Sequence, residues 1–256
     1  MNCLQRKPWT WIDPLVQPKQ WERDVRYGTW NVRSLYRESS LTAAARELQR
    51  YKLDFVGVQD VRCGKEGTIR AEDYNIFYER VNENHQLGRG FFVHQRIVSA
   101  VKKAEVVNDR VTYIVPRRRW CNMIVLNEYA PTKEKSNDPK DSFHEDLEQA
   151  FDHFTKYHMK ILLRDFNAKV GGQNIFKMTI GNDSLHQDSK DNGVRIVNFA
   201  TSKNLVVKSM MFPHQDIHKY TWTSPDGKTH NQIVHILINR KWHSSILDVR
   251  SFRGAD

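Results

Sequence analysis

Apolar positions recur along the chain in two rhythms, and the rhythms assign most of its elements. From Val25 a short strand runs to Thr29-Trp30-Asn31. Leu41, Ala44, Ala45 and Leu48 then return at intervals of three and four, one face of a helix behind the capping candidates Ser39 and Ser40. A second strand covers Leu53 to Val58. The middle of the chain reads as a meander, with strand-like segments at Gly90 to His94, Ile97 to Val107, Val111 to Val115 and Cys121 to Tyr129. Phe143, Leu147, Phe151 and Phe154 form a helical stripe behind Asp141 and Ser142, and the strand Lys160 to Leu163 follows. A helix around Val194 to Lys203 leads into the strand Leu205 to Val207. Last comes a hairpin, Tyr220 to Ser224 with Asn231 to Ile238, joined through Pro225-Asp226-Gly227, where proline and glycine suit a turn.

Helices alternate with strands but are too few for a doubly wound parallel sheet, while the meander and hairpin demand antiparallel pairing. The pattern therefore predicts an α/β (α+β) fold, two mixed sheets with helices outside. Residues 1–24 hold Trp9, Trp11 and Trp21 without period and read as a leader; residues 25–256 form one domain.

Composition narrows the class. A length of 256 residues and 39% hydrophobic content suffice for a sizeable core, which argues against disorder. Lys and Arg number 40 against 30 Asp and Glu, a formal net charge of +10, and this balance favours a polyanionic partner. Cys3, Cys63 and Cys121 lie far apart and leave an odd count, so neither a disulfide framework nor a zinc knuckle is expected. No run approaches the roughly 18 apolar residues of a membrane span, and Met1 to Glu22 lacks the apolar stretch of a signal peptide. The expectation is a soluble, intracellular protein without a membrane partner and with no obligate protein partner evident.

Four polar sites share one placement, at or just past the end of an apolar strand: Asn31, Asp60, Tyr129, and Asp165 with Asn167. Side chains so placed on different strands can converge at one rim of a sheet. Two carboxylates, Asp60 and Asp165, would suit a hard cation such as magnesium, and Tyr129 with the asparagines would suit a phosphate or an attacking water. Singly, each has a plainer role: Asp-x-Asn after a strand is ordinary turn chemistry, Asn31 a cap, Asp60 a surface carboxylate and Tyr129 a rim aromatic.

Five ordered motifs carry a resemblance. Gly28-Thr29-Trp30-Asn31-Val32-Arg33-Ser34-Leu35, Val58-Gln59-Asp60-Val61-Arg62, Asn127-Glu128-Tyr129-Ala130-Pro131-Thr132, Asp165-Phe166-Asn167-Ala168-Lys169-Val170-Gly171 and Tyr220-Thr221-Trp222-Thr223-Ser224-Pro225 resemble the endonuclease/exonuclease/phosphatase superfamily. Within it they resemble the apurinic-type endonuclease module of non-LTR retrotransposons and the craniofacial development protein 2-like proteins. The resemblance implies a four-layer α/β sandwich and Mg2+-dependent (or Mn2+-dependent) hydrolysis of DNA phosphodiester bonds in the nucleus. It implies that Asn31 helps hold the nucleophile side, that Asp60 binds metal, and that Tyr129 contacts the scissile phosphate or stabilises the leaving group. Asp165 would orient or deprotonate water with Asn167 beside it. Arg62 and Trp222 would contact nucleic acid, although a hairpin aromatic such as Trp222 serves equally well in a core.

The departures from this pattern bear on the chemistry. Asp60 stands where the family has glutamate, a loss of reach of roughly 1.5 Å against metal-ligand tolerances of about 0.2 Å. Arg164 replaces a glycine and sets a long cation beside Asp165 in sequence. Val234 stands where the pattern has an aspartate, and the sequence ends at Asp256 before the expected Ser-Asp-His segment and the strand after it. His235 and His243 are the nearby histidines. These losses predict a weakened or inactive nuclease with a missing C-terminal strand. Two other outcomes stay open: a non-catalytic nucleic-acid-binding or interaction protein, with Arg117-Arg118-Arg119 as a phosphate contact or a solvated loop, and a phosphoinositide phosphatase or sphingomyelinase-like hydrolase.

Overall fold

The computed structural model describes residues 25–32, 35, 38–59, 61, 67–79, 89–108, 111–116, 123–129, 145, 147–172 and 176–252. The leader, Asp60, Arg62, Arg117 to Arg119, the three cysteines, Phe143 and Arg253 to Asp256 lie outside the described residues, and of Tyr129 only the backbone is described. The chain divides into two compact units, Met1–Asn127 with Ala150–His158, and Glu128–Gln149 with Met159–Asp256.

In the first unit, β1 (Tyr27–Asn31), α1 (Glu38–Arg50) and β2 (Phe55–Gln59) make a βαβ unit whose strands run parallel. β3 (Gly67–Ala71), β4 (Tyr74–Glu79) and β5 (Arg89–His94) complete a mixed sheet in the order β1-β2-β5-β4-β3. Leu41, Ala44, Ala45 and Leu48 of α1 pack with Val56, Val58, Ile76 and Phe92 on one face of that sheet. The helical stripe read from the sequence is therefore the buried face. The helix starts at Glu38, so Ser39 and Ser40 lie inside it and do not cap it.

β2 is buried along its whole length, as a strand covered on both faces must be. Its second face looks toward β8 (Met123–Tyr129), where the Tyr27 hydroxyl reaches Met123 Sδ at 3.1 Å. β6 (Val101–Asn108) and β7 (Val111–Pro116) pair antiparallel and follow β8 in the order β8-β7-β6. The expected continuous strand Ile97 to Val107 is corrected: the short helix α2 (Gln95–Val98) takes its start, because the His94 side chain caps the Arg96 amide and Ile97 turns inward. β3 and β4 were not legible in the periodicity.

Helix α3 covers residues 147–152. In the second unit β9 (Met159–Asp165) is buried throughout and lies in the antiparallel order β10-β13-β9. α4 (Lys177–Ile180) and α5 (Asp191–Ser202) precede β10 (Leu205–Val207), against which α5 packs Ile196, Val197, Phe199 and Ala200. The hairpin is real but shorter than expected: β11 (Trp222–Thr223) pairs with β12 (His230–Asn231), and β13 (Val234–Asn239) is a separate strand. The break falls where Thr221 Oγ1 accepts the Ile233 and Val234 amides, at 2.8 and 3.1 Å, and takes them out of any ladder. No helix among the described residues is long and apolar enough to cross a membrane.

Candidate active site

Each unit carries part of the constellation. In the first, Asn31 closes β1 as an exposed residue directly beside Gln59, the last residue of β2. Beyond the strands the two segments remain tied, with Val32 N donating to Gln59 O at 3.1 Å and Leu35 N to Val61 O at 2.9 Å. Asp60, between two fully buried neighbours, lies outside the described residues. Behind this edge sits a buried amide pair that sequence reasoning passed over. Gln59 Nε2 donates to Thr29 Oγ1 at 3.0 Å and to Asn127 Oδ1, while Asn127 Nδ2 donates to Val58 O and Gly90 O, each at 3.0 Å. A polar residue ending each of two apolar strands, Phe55 to Val58 and Met123 to Leu126, was the available signal.

In the second unit Asp165 ends β9 with 8% of its surface exposed. Its Oδ1 accepts the Asn167 amide at 3.0 Å, and Asn167 adopts φ 47°, the left-handed conformation that asparagine tolerates. The turn is held from two sides. Asn192 Nδ2 donates to Asn167 O at 3.2 Å, and His235 Nε2 donates to Ala168 O at 2.9 Å. A carbonyl can only accept, so Nε2 carries the proton and Nδ1 accepts from Ser209 Oγ at 3.1 Å. His235 is 1% exposed, and burial pushes its pKa down to about 4 despite the bond to Ala168, with His186 adding to the depression. It is a neutral prop beneath the turn and no substitute for a catalytic histidine. His243 fares no better: it follows the far end of β13, five residues or about 17 Å along the strand from Val234.

The residue facing Asp165 across the β9–β13 ladder is Val234. Asp165 and Val234 share one face of the sheet, and an aliphatic side chain there neither binds a cation nor orients an imidazole. Arg164 lies on the other face, by strand alternation, where it is 1% exposed, faces His235 in register and stacks its guanidinium 4.4 Å over the Phe166 ring. Adjacent in sequence to Asp165, it points away from the carboxylate. Trp222 is 40% exposed on β11, so the core role is excluded, and beside it Tyr220 stacks on His230 at 4.2 Å with 6° between the planes. Among the described residues no three His, Cys, Asp or Glu side chains stand close enough to hold a metal ion. Asp60, the metal ligand the resemblance implies, lies outside those residues.

No family model matches the chain. Craniofacial development protein 2 of Bos taurus is 30% identical over 229 residues, which cover 90% of this chain and 38% of that protein. Its counterpart in Tragulus javanicus is 29% identical over 229 residues, covering 90% and 39%. The chain thus spans about two fifths of the length of these curated relatives. Among solved structures, the AP endonuclease LMAP from Leishmania major superposes with a TM-score of 0.62 at 12% identity, covering 88% of this chain and 81% of that one. The endonuclease domain of TRAS1, a telomere-specific non-LTR retrotransposon, gives 0.54 at 12% identity, covering 83% of each chain. At such identities the likeness concerns the fold, which is an α/β sandwich of two mixed sheets with helices.

Proposed function

We propose that this chain, which has the fold of the endonuclease/exonuclease/phosphatase superfamily, is a DNA endonuclease of retrotransposon origin whose cleavage step is weakened or lost. Its fold neighbours are phosphodiesterase-type hydrolases. The single observation that carries the reading is Val234 directly across from Asp165. In this reading Asp165, with Asn167 beside it, orients the attacking water, Asn31 is a catalytic residue of the first unit, Tyr129 meets the phosphate or the leaving group, and Arg62 and Trp222 hold nucleic acid. Asp60 would be the ligand of a divalent cation such as Mg2+. The water that Asp165 can orient has no second polar group on that face of β13, and loss of a positioned acid or base typically costs about 10²- to 10⁴-fold in rate.

The test is nicking of supercoiled plasmid with magnesium. Slow or absent nicking is expected. Efficient nicking that disappears in Asp165→Ala overturns the proposed weakening. A second reading, nucleic-acid binding without cleavage, is favoured by exposed Trp222 beside the Tyr220–His230 stack and by the net charge of +10. Binding that falls steeply with rising salt supports it, since each phosphate contact releases counterions. A chromosomal substrate would place the protein in the nucleus.

A further inference from the structure

The least expected feature of the first unit is a fully buried asparagine with three of its four hydrogen-bonding positions engaged on other strands. Asn127 projects from β8 between the carbonyls of Val58 and Gly90, which face each other across the β2–β5 ladder, and takes one with each amide hydrogen at 3.0 Å. Its own oxygen accepts Gln59 Nε2, and the other Gln59 hydrogen goes to Thr29 Oγ1 at 3.0 Å. One side chain on β8 thus ties β2 and β5 directly and β1 through Gln59. The approach depends on Gly57: a β-carbon there would lie 3.0 Å from Asn127 Cγ and 3.1 Å from its Oδ1.

We propose that Asn127 is a positioning residue for the edge where β1 and β2 end and Asn31 is exposed. That edge begins two residues beyond Thr29 and one beyond Gln59. The bonds of Val32 N to Gln59 O and Leu35 N to Val61 O hold the emerging segments together only while the end of β2 stays in place. A leucine of similar size at 127 would fill the space yet leave the Gln59 amide without its acceptor, which frees the end of β2. The inference rests on the reading of this edge as facing nucleic acid.

Hydrogen exchange and DNA binding on the full chain test it together. In Asn127→Ser, the Val32 and Leu35 amides should exchange at least about tenfold faster than in wild type, relative to the change at Ala45 and Leu163. Affinity for a fluorescein-labelled 20-base-pair duplex should fall about three- to tenfold. Gly57→Ala, which displaces Asn127 without deleting it, should act in the same direction and serves if the serine variant does not fold. Equal acceleration at all four amides would make Asn127 a general packing residue and overturn the positioning role. Local acceleration with unchanged affinity would also overturn it, leaving DNA binding to other surfaces. A wild-type chain that binds no duplex overturns the reading of the edge, and the positioning role with it, even if the exchange pattern is local.

Discussion

Acidification should destabilise this protein through His235. Its folded pKa lies at about 4, held down by burial, against about 6.5 in an unfolded chain. Above pH 6.5 both states are neutral at this position and the full contribution is present. As pH falls from 6.5 toward 4, the unfolded chain takes up the proton that the folded chain refuses, and stability declines. A difference of 2.5 units at 1.36 kcal/mol each amounts to about 3 kcal/mol. With the imidazole 1% exposed, no solvent screening reduces it. Against a typical total of about 5–15 kcal/mol, such a loss is large. The assay is urea unfolding at pH 7.5, 6.5, 5.5 and 4.5, for wild type and His235→Gln. The variant loses part of the packing and hydrogen bonding and should start less stable by about 1–3 kcal/mol. Every other titrating group is shared, so the gap between the two proteins should close as pH falls. A gap that stays constant across the series would refute the burial of a neutral imidazole beneath the Asp165–Asn167 turn.

Val234→Asp places a carboxylate across from Asp165 and, if the proposed weakening holds, should raise plasmid nicking at least about tenfold; a folded variant without any gain would overturn the role proposed for Val234. Trp222→Ala should change unfolding stability by no more than about 0.5 kcal/mol while weakening oligonucleotide binding by about 1–3 kcal/mol, measured by anisotropy, and unaltered binding would remove Trp222 from the interface. In Gly193→Ala the new β-carbon would collide with the Lys169 carbonyl oxygen, so unfolding should come about 3 kcal/mol easier; a neutral result would mean that the 167–172 segment yields. Asp165→Ala should cost about 1 kcal/mol of stability by losing the acceptor for the Asn167 amide, whereas Asp165→Asn, which keeps an oxygen there, should cost less.

What the sequence disclosed followed from how many neighbours fix each segment. β2, β9 and α1 were legible because burial on both faces, or along one helical stripe, leaves an apolar signature that no other placement satisfies. β3 was not, since Thr68, Ile69 and Arg70 lie exposed at a sheet edge and are selected by pairing with β4 alone. The break between β12 and β13 escaped notice because it comes from one hydroxyl, Thr221 Oγ1, ten or more residues away. At the site, motif order pointed to Asp165 and Asn167, but the face on which Arg164 and His235 lie appears only once β9 and β13 are in register.

That register also gives the most recognisable motif a structural role that is independent of any chemistry. Asp165 caps the turn that Asn167 makes, Asn192 and His235 brace the next two carbonyls, and Gly193 lets the N-terminus of α5 close against Lys169. Each of these bonds stabilises the second unit whether or not a phosphodiester is ever bound. Val234 carries no such duty: its amide is engaged by Thr221, and its side chain only fills space on the face it shares with Asp165. A chain released from cleavage would therefore keep Asp-Phe-Asn for folding and lose the aspartate opposite it at little cost. The motif at residues 165–167 thus serves the turn by itself, and position 234 is where the proposed weakening can be tested.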